Sequence, residues 1–190
     1  MNNNLKKLIL AALFAALSCV ATMSIRIPTP GTGGYIHPGD AIVILSGVIL
    51  GPVWGFFAGG IGSALSDLIG GYFIFAIIVV GYLVGKISIK GVSLGSAAIF
   101  LVALVAGHLY QKIGKTQKSR YVAVVLGGVA DIILVAGGYF VCEYFIYGAG
   151  AAASIPANII QGIGGLVISC ILYPILISIP NVRQMTVATR

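Results

Sequence analysis

The sequence predicts an all-α membrane protein, a six-transmembrane-helix bundle with an outward-facing ligand pocket, built as a single integral membrane domain over residues 1–190. Three observations predict it. The chain is 59% hydrophobic and 8% charged, whereas a soluble domain is roughly 45–50% apolar and about a quarter charged. Its apolar stretches are continuous, not alternating, and approach the roughly 20 residues that cross a bilayer's hydrocarbon core as a helix. Its 27 glycines suit close helix packing in lipid, where small residues let backbones approach. A soluble globule, a β-barrel and a disordered chain are all excluded by these figures.

Helix one is expected near residues 5–23. Lys6 and Lys7 before an apolar run could also open a signal peptide, and Ala16-Leu17-Ser18-Cys19 resembles a lipoprotein cleavage site. The run continues to Met23, long enough to span, so a retained helix is predicted. Residues 27–38 hold three prolines and three glycines, too many for a helix or strand interior, and read as a loop. Asp40 stands at the N-cap position of helix two, near 40–51. Gly51-Pro52 turns the chain into helix three, near 53–69. Both helices are short for a full crossing, which predicts tilt or exposure to a cavity.

Two apolar runs, 73–85 and 94–110, follow, divided by Lys86 and Lys90. Charge parity decides how to count them. Lys112, Lys115, Lys118 and Arg120 crowd one loop, and Lys6, Lys7, Arg183 and Arg190 lie near the termini. If both groups are cytoplasmic, an even number of crossings separates them. One crossing near 91–111 meets that condition, with 72–90 as an outer, interfacial or re-entrant segment. Helices over 121–147 and 157–179, joined by the small-residue linker Gly148 to Ser154, complete six crossings. Both termini are then cytoplasmic, in a multi-pass cell-membrane protein.

The four acids, Asp40, Asp67, Asp131 and Glu143, fall in helices or at helix ends. On this topology Asp40 and Asp67 lie at outer ends, Glu143 in the outer part of helix five and Asp131 nearer mid-membrane. Asn158 and Gln161 fall in the outer turns of helix six. An ionisable group at the bilayer centre costs at least about 2.5–3.5 kcal/mol, so such residues usually face a cavity or a partner. The outer half is therefore where a ligand is expected.

No catalytic constellation is present, so the chain is not read as an enzyme. His37 and Asp40 lack a third metal ligand and read as a turn and a cap, and no cofactor is implied. His108 reads as interfacial, and Cys19, Cys142 and Cys170 as small apolar residues without metal or disulfide spacing. No phosphate loop is found, so ATP-driven transport would need another subunit. Gly51, Gly55 and Gly59 repeat at four, and Ala11/Ala15 and Ala12/Ala16 form small-residue pairs, faces that suit internal packing or a partner.

The runs Gly34-Tyr35-Ile36-His37-Pro38-Gly39-Asp40-Ala41, Leu50-Gly51-Pro52, Gly59-Gly60-Ile61-Gly62-Ser63-Ala64-Leu65-Ser66-Asp67-Leu68 and Gly71-Tyr72 carry a resemblance. So do Gly138-Tyr139-Phe140, Glu143-Tyr144 and Ile155-Pro156-Ala157-Asn158-Ile159-Ile160-Gln161. Together they resemble an S component of an energy-coupling factor (ECF) vitamin transporter, closest to the riboflavin, pyridoxine and hydroxymethylpyrimidine group. The resemblance implies a membrane-embedded coupling subunit and two ATP-binding subunits as partners. It also implies a pocket closed by loop 27–38, and delivery of substrate by toppling in the membrane. It assigns Ala11, Ala12, Ala15 and Ala16 to docking on the coupling subunit.

A flat aromatic vitamin needs stacking rings and a few orienting polar groups. Tyr35, Tyr72, Tyr139 and Tyr144 are candidate stackers. Beside them stand His37, Asp40, Asp67, Lys90, Glu143, Asn158 and Gln161 as polar candidates. Asp131 reads alternatively as a structural partner within the bundle. Riboflavin, a pyridoxine-like compound, a thiamin precursor and a corrinoid all stay open as ligands. The alternative function is a self-sufficient proton-coupled carrier with Asp131 or Glu143 as relay.

Overall fold

The computed structural model describes residues 3–28, 35–69 and 95–188. Helix α1 (Asn3–Ser24) leads into a small antiparallel hairpin, β1 (Ile27–Pro28) with β2 (Tyr35–Ile36). Then come α2 (Gly39–Leu50), α3 (Pro52–Ile69), α4 (Gly95–Ile113) and α5 (Gln117–Tyr147). A 3-10 turn (Gly148–Ser154), α6 (Ile155–Ser178) and α7 (Pro180–Ala188) complete the order. The segment expected at 72–90, with Tyr72 and Lys90, lies outside the described residues, as does most of the loop after Pro28.

The elements depart from expectation in five places. The loop after helix one holds two paired dipeptides, because Ile27↔Ile36 and Pro28↔Tyr35 meet in register. Asp40 is not the cap of α2: Pro38 occupies that position without a side-chain cap bond, and Asp40 sits in the first turn with its carboxylate spent elsewhere. Helix α5 begins four residues earlier than position 121, where Thr116 and Ser119 form a reciprocal capping box. The linker Gly148–Ser154 is a 3-10 turn, and a short α7 follows Ile179, where the extended backbone ahead of Pro180 ends α6.

Three helical stretches, Asn4–Ser24, Gln117–Phe145 and Gly148–Ser178, are long and apolar enough to cross a membrane by length and composition. The large outward side chains of the bundle are apolar. Along α1 these are Leu8, Ile9, Leu13, Leu17 and Val20, along α3 Val53, Phe57 and Ile61, and along α6 Ile160, Ile163, Val167 and Ile171. Such surfaces would aggregate in water and are what lipid requires.

The core is organised around α2. Every residue of α2 but Ile42 is buried, the mark of a helix enclosed on all sides. Val43, Ile44, Leu45, Val48 and Ile49 meet Val102 and Ala106 of α4 and Val124 and Val135 of α5. Glycine makes the closest approach possible. A methyl group on Gly47 would overlap the Ala103 carbonyl, and one on Gly107 would lie 2.6 Å from the Gly47 carbonyl oxygen. Gly55, Gly59 and Gly60 are consumed in the same way against α2 and Phe100, so the glycine repeat is an internal packing face.

Neighbouring positions fix helix directions. Gly127 faces Ala106 and Gly138 faces Ala98, so α4 and α5 are antiparallel; Gly128 faces Leu166 and Gly162 faces Ile132, so α5 and α6 are too. The ends of α1, α3 and α5 and the starts of α2, α4 and α6 gather at one end of the bundle, here the hairpin end. The opposite end is closed by buried Tyr110 and Tyr173, whose hydroxyls lie 2.8 Å apart, with Tyr121 edge-on to Tyr173. Buried Val182 and Met185 of α7 add apolar side chains at this end.

Candidate ligand-binding site

Helix α2 has 12 residues, about 18 Å of helix against a hydrocarbon core of about 30 Å. It is too short to cross alone, and His37, two residues ahead of it, is already buried. A Cβ on Gly165 of α6 would lie 3.0 Å from Asp40 Cβ and 3.4 Å from Asp131 Oδ2. Asp40 and Asp131 thus share one depth, roughly 15 Å along α6 from its first residue. The expectation that Asp40 lies outward of Asp131 is corrected by this shared contact with Gly165.

Both carboxylates are 1% exposed. Gln161 Nε2 donates to Asp40 Oδ2 at 2.8 Å, and the same amide's Oε1 accepts from the His37 backbone N–H at 3.2 Å. His37 Nδ1 accepts from the Gly39 N–H at 3.2 Å. One side chain of α6 therefore ties the buried approach to α2 and its first acid together. Asp40 Oδ1 and both oxygens of Asp131 have no hydrogen-bond partner among the described residues. Neither has the buried Thr22 hydroxyl. Leaving a buried polar group unpaired costs roughly 1–3 kcal/mol, so these acceptors are unspent capacity.

Towards the hairpin end the polar side chains continue. Asn158 is buried, and its amide makes no hydrogen bond among the described residues. Glu143 is buried and accepts a very short hydrogen bond from the Ser154 hydroxyl in the 3-10 turn. Since Asp131 and Glu143 share α5, their separation of about 18 Å follows from helical rise. Gln161 and Asp131 thus meet Asp40 at one level, while Asn158 lies one turn of α6 and Glu143 about 18 Å of α5 further towards the hairpin end.

The aromatic candidates divide. Tyr35 is half-buried, its ring 5.4 Å from that of His37, with the Arg26 guanidinium 4.5 Å above it. Arg26 also donates to the Ser66 carbonyl at 3.2 Å, pinning the hairpin to the end of α3. Tyr139 is half-buried against the core. Tyr144 is 52% exposed, its ring tilted against Phe140 and edge-on to Phe145. Asp67 lies on α3, and its side chain is outside the described ones. Ala11 and Ala15 are buried along α1, whereas Ala12 and Ala16 face outward.

The sequence reading missed Ser154, Thr22, Gly162 and Gly165. The available signal was the run Gln161-Gly162-Ile163-Gly164-Gly165, which reads as packing until Asp131 is found facing it. Among the described residues no three His, Cys, Asp or Glu side chains gather as a metal site. The three cysteines are free thiols.

Comparison with known proteins adds the lineage. The family model for the ECF-type riboflavin transporter, S component, matches residues 2–102. An uncharacterized protein in gap 3'region of Pyrococcus woesei is 34% identical over 153 residues, covering 78% of this chain and 86% of that protein. The thiamine precursor transporter HmpT of Lactococcus lactis is 29% identical over 183 residues, covering 92% and 90%. A UPF0397 protein of Streptococcus agalactiae is 42% identical over 67 residues, covering 35% and 37%. No solved structure matches significantly. A chain with apolar helical spans and a family match over more than half its length is a multi-pass membrane transport subunit and not an enzyme: it belongs to the ECF-type riboflavin transporter S component family.

Proposed function

We propose that this chain is the high-affinity binding subunit of an ATP-driven ECF-type importer for a vitamin or vitamin precursor. In this reading α1 to α6 each cross the membrane, residues 1–190 form one domain, and both termini are cytoplasmic. The hairpin end faces outward, and the pocket is a polar column of Asp131, Gln161, Asn158 and Glu143 between α5 and α6, reached from that end. Asp40, His37, Gln161, Asn158 and Glu143 hold the ligand's polar groups, while Tyr35 and Tyr139 cover its ring. Asp67, Tyr72 and Lys90 are proposed to complete the wall.

One observation carries the reading: buried carboxylate oxygens are left unspent among the described residues, at Asp40 Oδ1 and on Asp131, inside a bundle whose outer surface is apolar. A merely structural network would satisfy its own members; one built for a ligand keeps capacity in reserve. HmpT, named for a thiamine precursor, aligns over nearly the whole chain and supports a vitamin-sized heteroaromatic ligand.

Transport then needs partners. A membrane-embedded coupling subunit docks on the α1 face marked by outward Ala12 and Ala16, where small side chains permit close helix approach. Two ATP-binding subunits drive the cycle, and the loaded chain topples to bring its pocket to the cytoplasmic side. The second reading, a proton-coupled carrier acting alone, is favoured by the unpartnered Asp131 carboxylate. Vesicle uptake with and without the other subunits decides between them. The importer binds ligand alone and transports only with all partners and ATP. Uptake by this chain alone that collapses with the proton gradient would establish the carrier instead.

A further inference from the structure

We propose that the turn between α4 and α5 binds the headgroup of an anionic phospholipid, whose acyl chains lie along the outward apolar face of α5. This turn stands at the bundle end opposite the hairpin, apart from the proposed pocket. Lys112, Lys115, Lys118 and Arg120 fall within residues 112–120, and no acid occurs in the sequence between Asp67 and Asp131. Asp131 itself stands about 16 Å along α5 from Arg120 by helical rise. Lys112, Lys115 and Lys118 are exposed. Arg120 is half-buried against the turn, its Cγ 3.4 Å from where a Cβ on Gly114 would stand. Its Nε is buried and has no hydrogen-bond partner among the described residues. A guanidinium only donates, so the turn holds a positioned donor that calls for an acceptor.

Charge sets the sign of the partner. Four cations so close in the chain repel one another, and with no acid in the turn an anion from outside restores the balance. The turn also carries the start of the 31-residue α5, whose positive pole faces it. The surrounding surface sets the class. The apolar span begins at Gln117, so the turn lies at the membrane boundary. From there Val122, Val125, Val129 and Ile133 point outward at helical spacing. They cover about 16 Å of α5, close to half of a hydrocarbon core of about 30 Å. A basic turn above an apolar strip of one leaflet's depth matches a phospholipid, whereas an acidic protein segment would need only the charge. The rule that orients membrane helices asks for positive charge alone and does not require an arginine folded onto the turn.

The test is native mass spectrometry of the purified full chain, titrated with phosphatidylglycerol or with phosphatidylcholine of the same acyl chains. Phosphatidylglycerol should bind at least about tenfold more tightly. The Lys115→Gln/Lys118→Gln variant should lose most of that preference, at roughly fivefold per cation near an anionic lipid surface. Arg120→Gln gives the same readout from one substitution should the double variant insert poorly. Excess inorganic phosphate should not displace the lipid, because the acyl chains carry part of the affinity. Equal binding of the two lipids would overturn the proposal, as would a preference that survives both variants. Displacement by inorganic phosphate would make the turn a free-anion site and equally overturn it. Equal lipid binding, with loss of co-purifying ATP-binding subunits from the lysine variant, would assign the patch to an acidic protein partner instead.

Discussion

Gln161 and Asn158 lie three positions apart on α6 and should fail differently when changed. Gln161 donates to a buried carboxylate and accepts from the His37 backbone. Gln161→Leu removes both bonds and should cost about 1.5–3 kcal/mol for the charge-assisted one alone, seen as a lowered melting temperature together with weaker ligand binding. Asn158 has no bond within the described chain to lose. Asn158→Ala should leave the melting temperature near that of the native chain and weaken binding about tenfold or more, the loss of one good ligand hydrogen bond. Unchanged affinity would remove α6 from the pocket. Both residues were legible in the sequence as polar groups inside an apolar run. Their unlike roles were not, because the bond from Gln161 to Asp40 joins positions 121 residues apart, and no local pattern encodes that pairing.

Among the elements, α2 decides the most. Its near-complete burial brings its first turn against Gly165 of α6, which sets Asp40 level with Asp131. The shortness was readable from Asp40 and Gly51; the depth of Asp40 was not, since it depends on where α6 and its glycine step stand. Helix existence was legible throughout the described chain, because long apolar runs leave few alternatives in lipid. The two-residue strands and α7 were not: the strands pair across a Pro- and Gly-rich loop that carries no alternating pattern, and α7 is held by Val182 packing into the bundle core. Gly47→Val should disrupt the α2–α4 contact, since its Cβ meets the Ala103 backbone rather than a side chain that can move. A loss of at least about 1–3 kcal/mol is expected from overpacking, read as reduced folded yield and melting temperature with binding lost in parallel.

For the whole molecule, two layers are proposed: a satisfied apolar scaffold facing lipid and a partner, and an unsatisfied polar column facing a ligand. The partner surface is testable by adjacent alanines. Ala12 faces outward and Ala11 inward, so Ala12→Trp should spare folding and ligand binding yet reduce co-purification of the coupling subunit. Ala11→Trp should impair folding itself, and equal assembly by native and Ala12→Trp chains would move the docking surface off α1. The column is tested most directly by native mass spectrometry of the purified chain, comparing native protein with the Asn158→Ala variant. One vitamin-sized adduct per native chain, depleted from the variant, is expected; a bare native chain, or an adduct retained equally by both, would overturn the proposed pocket.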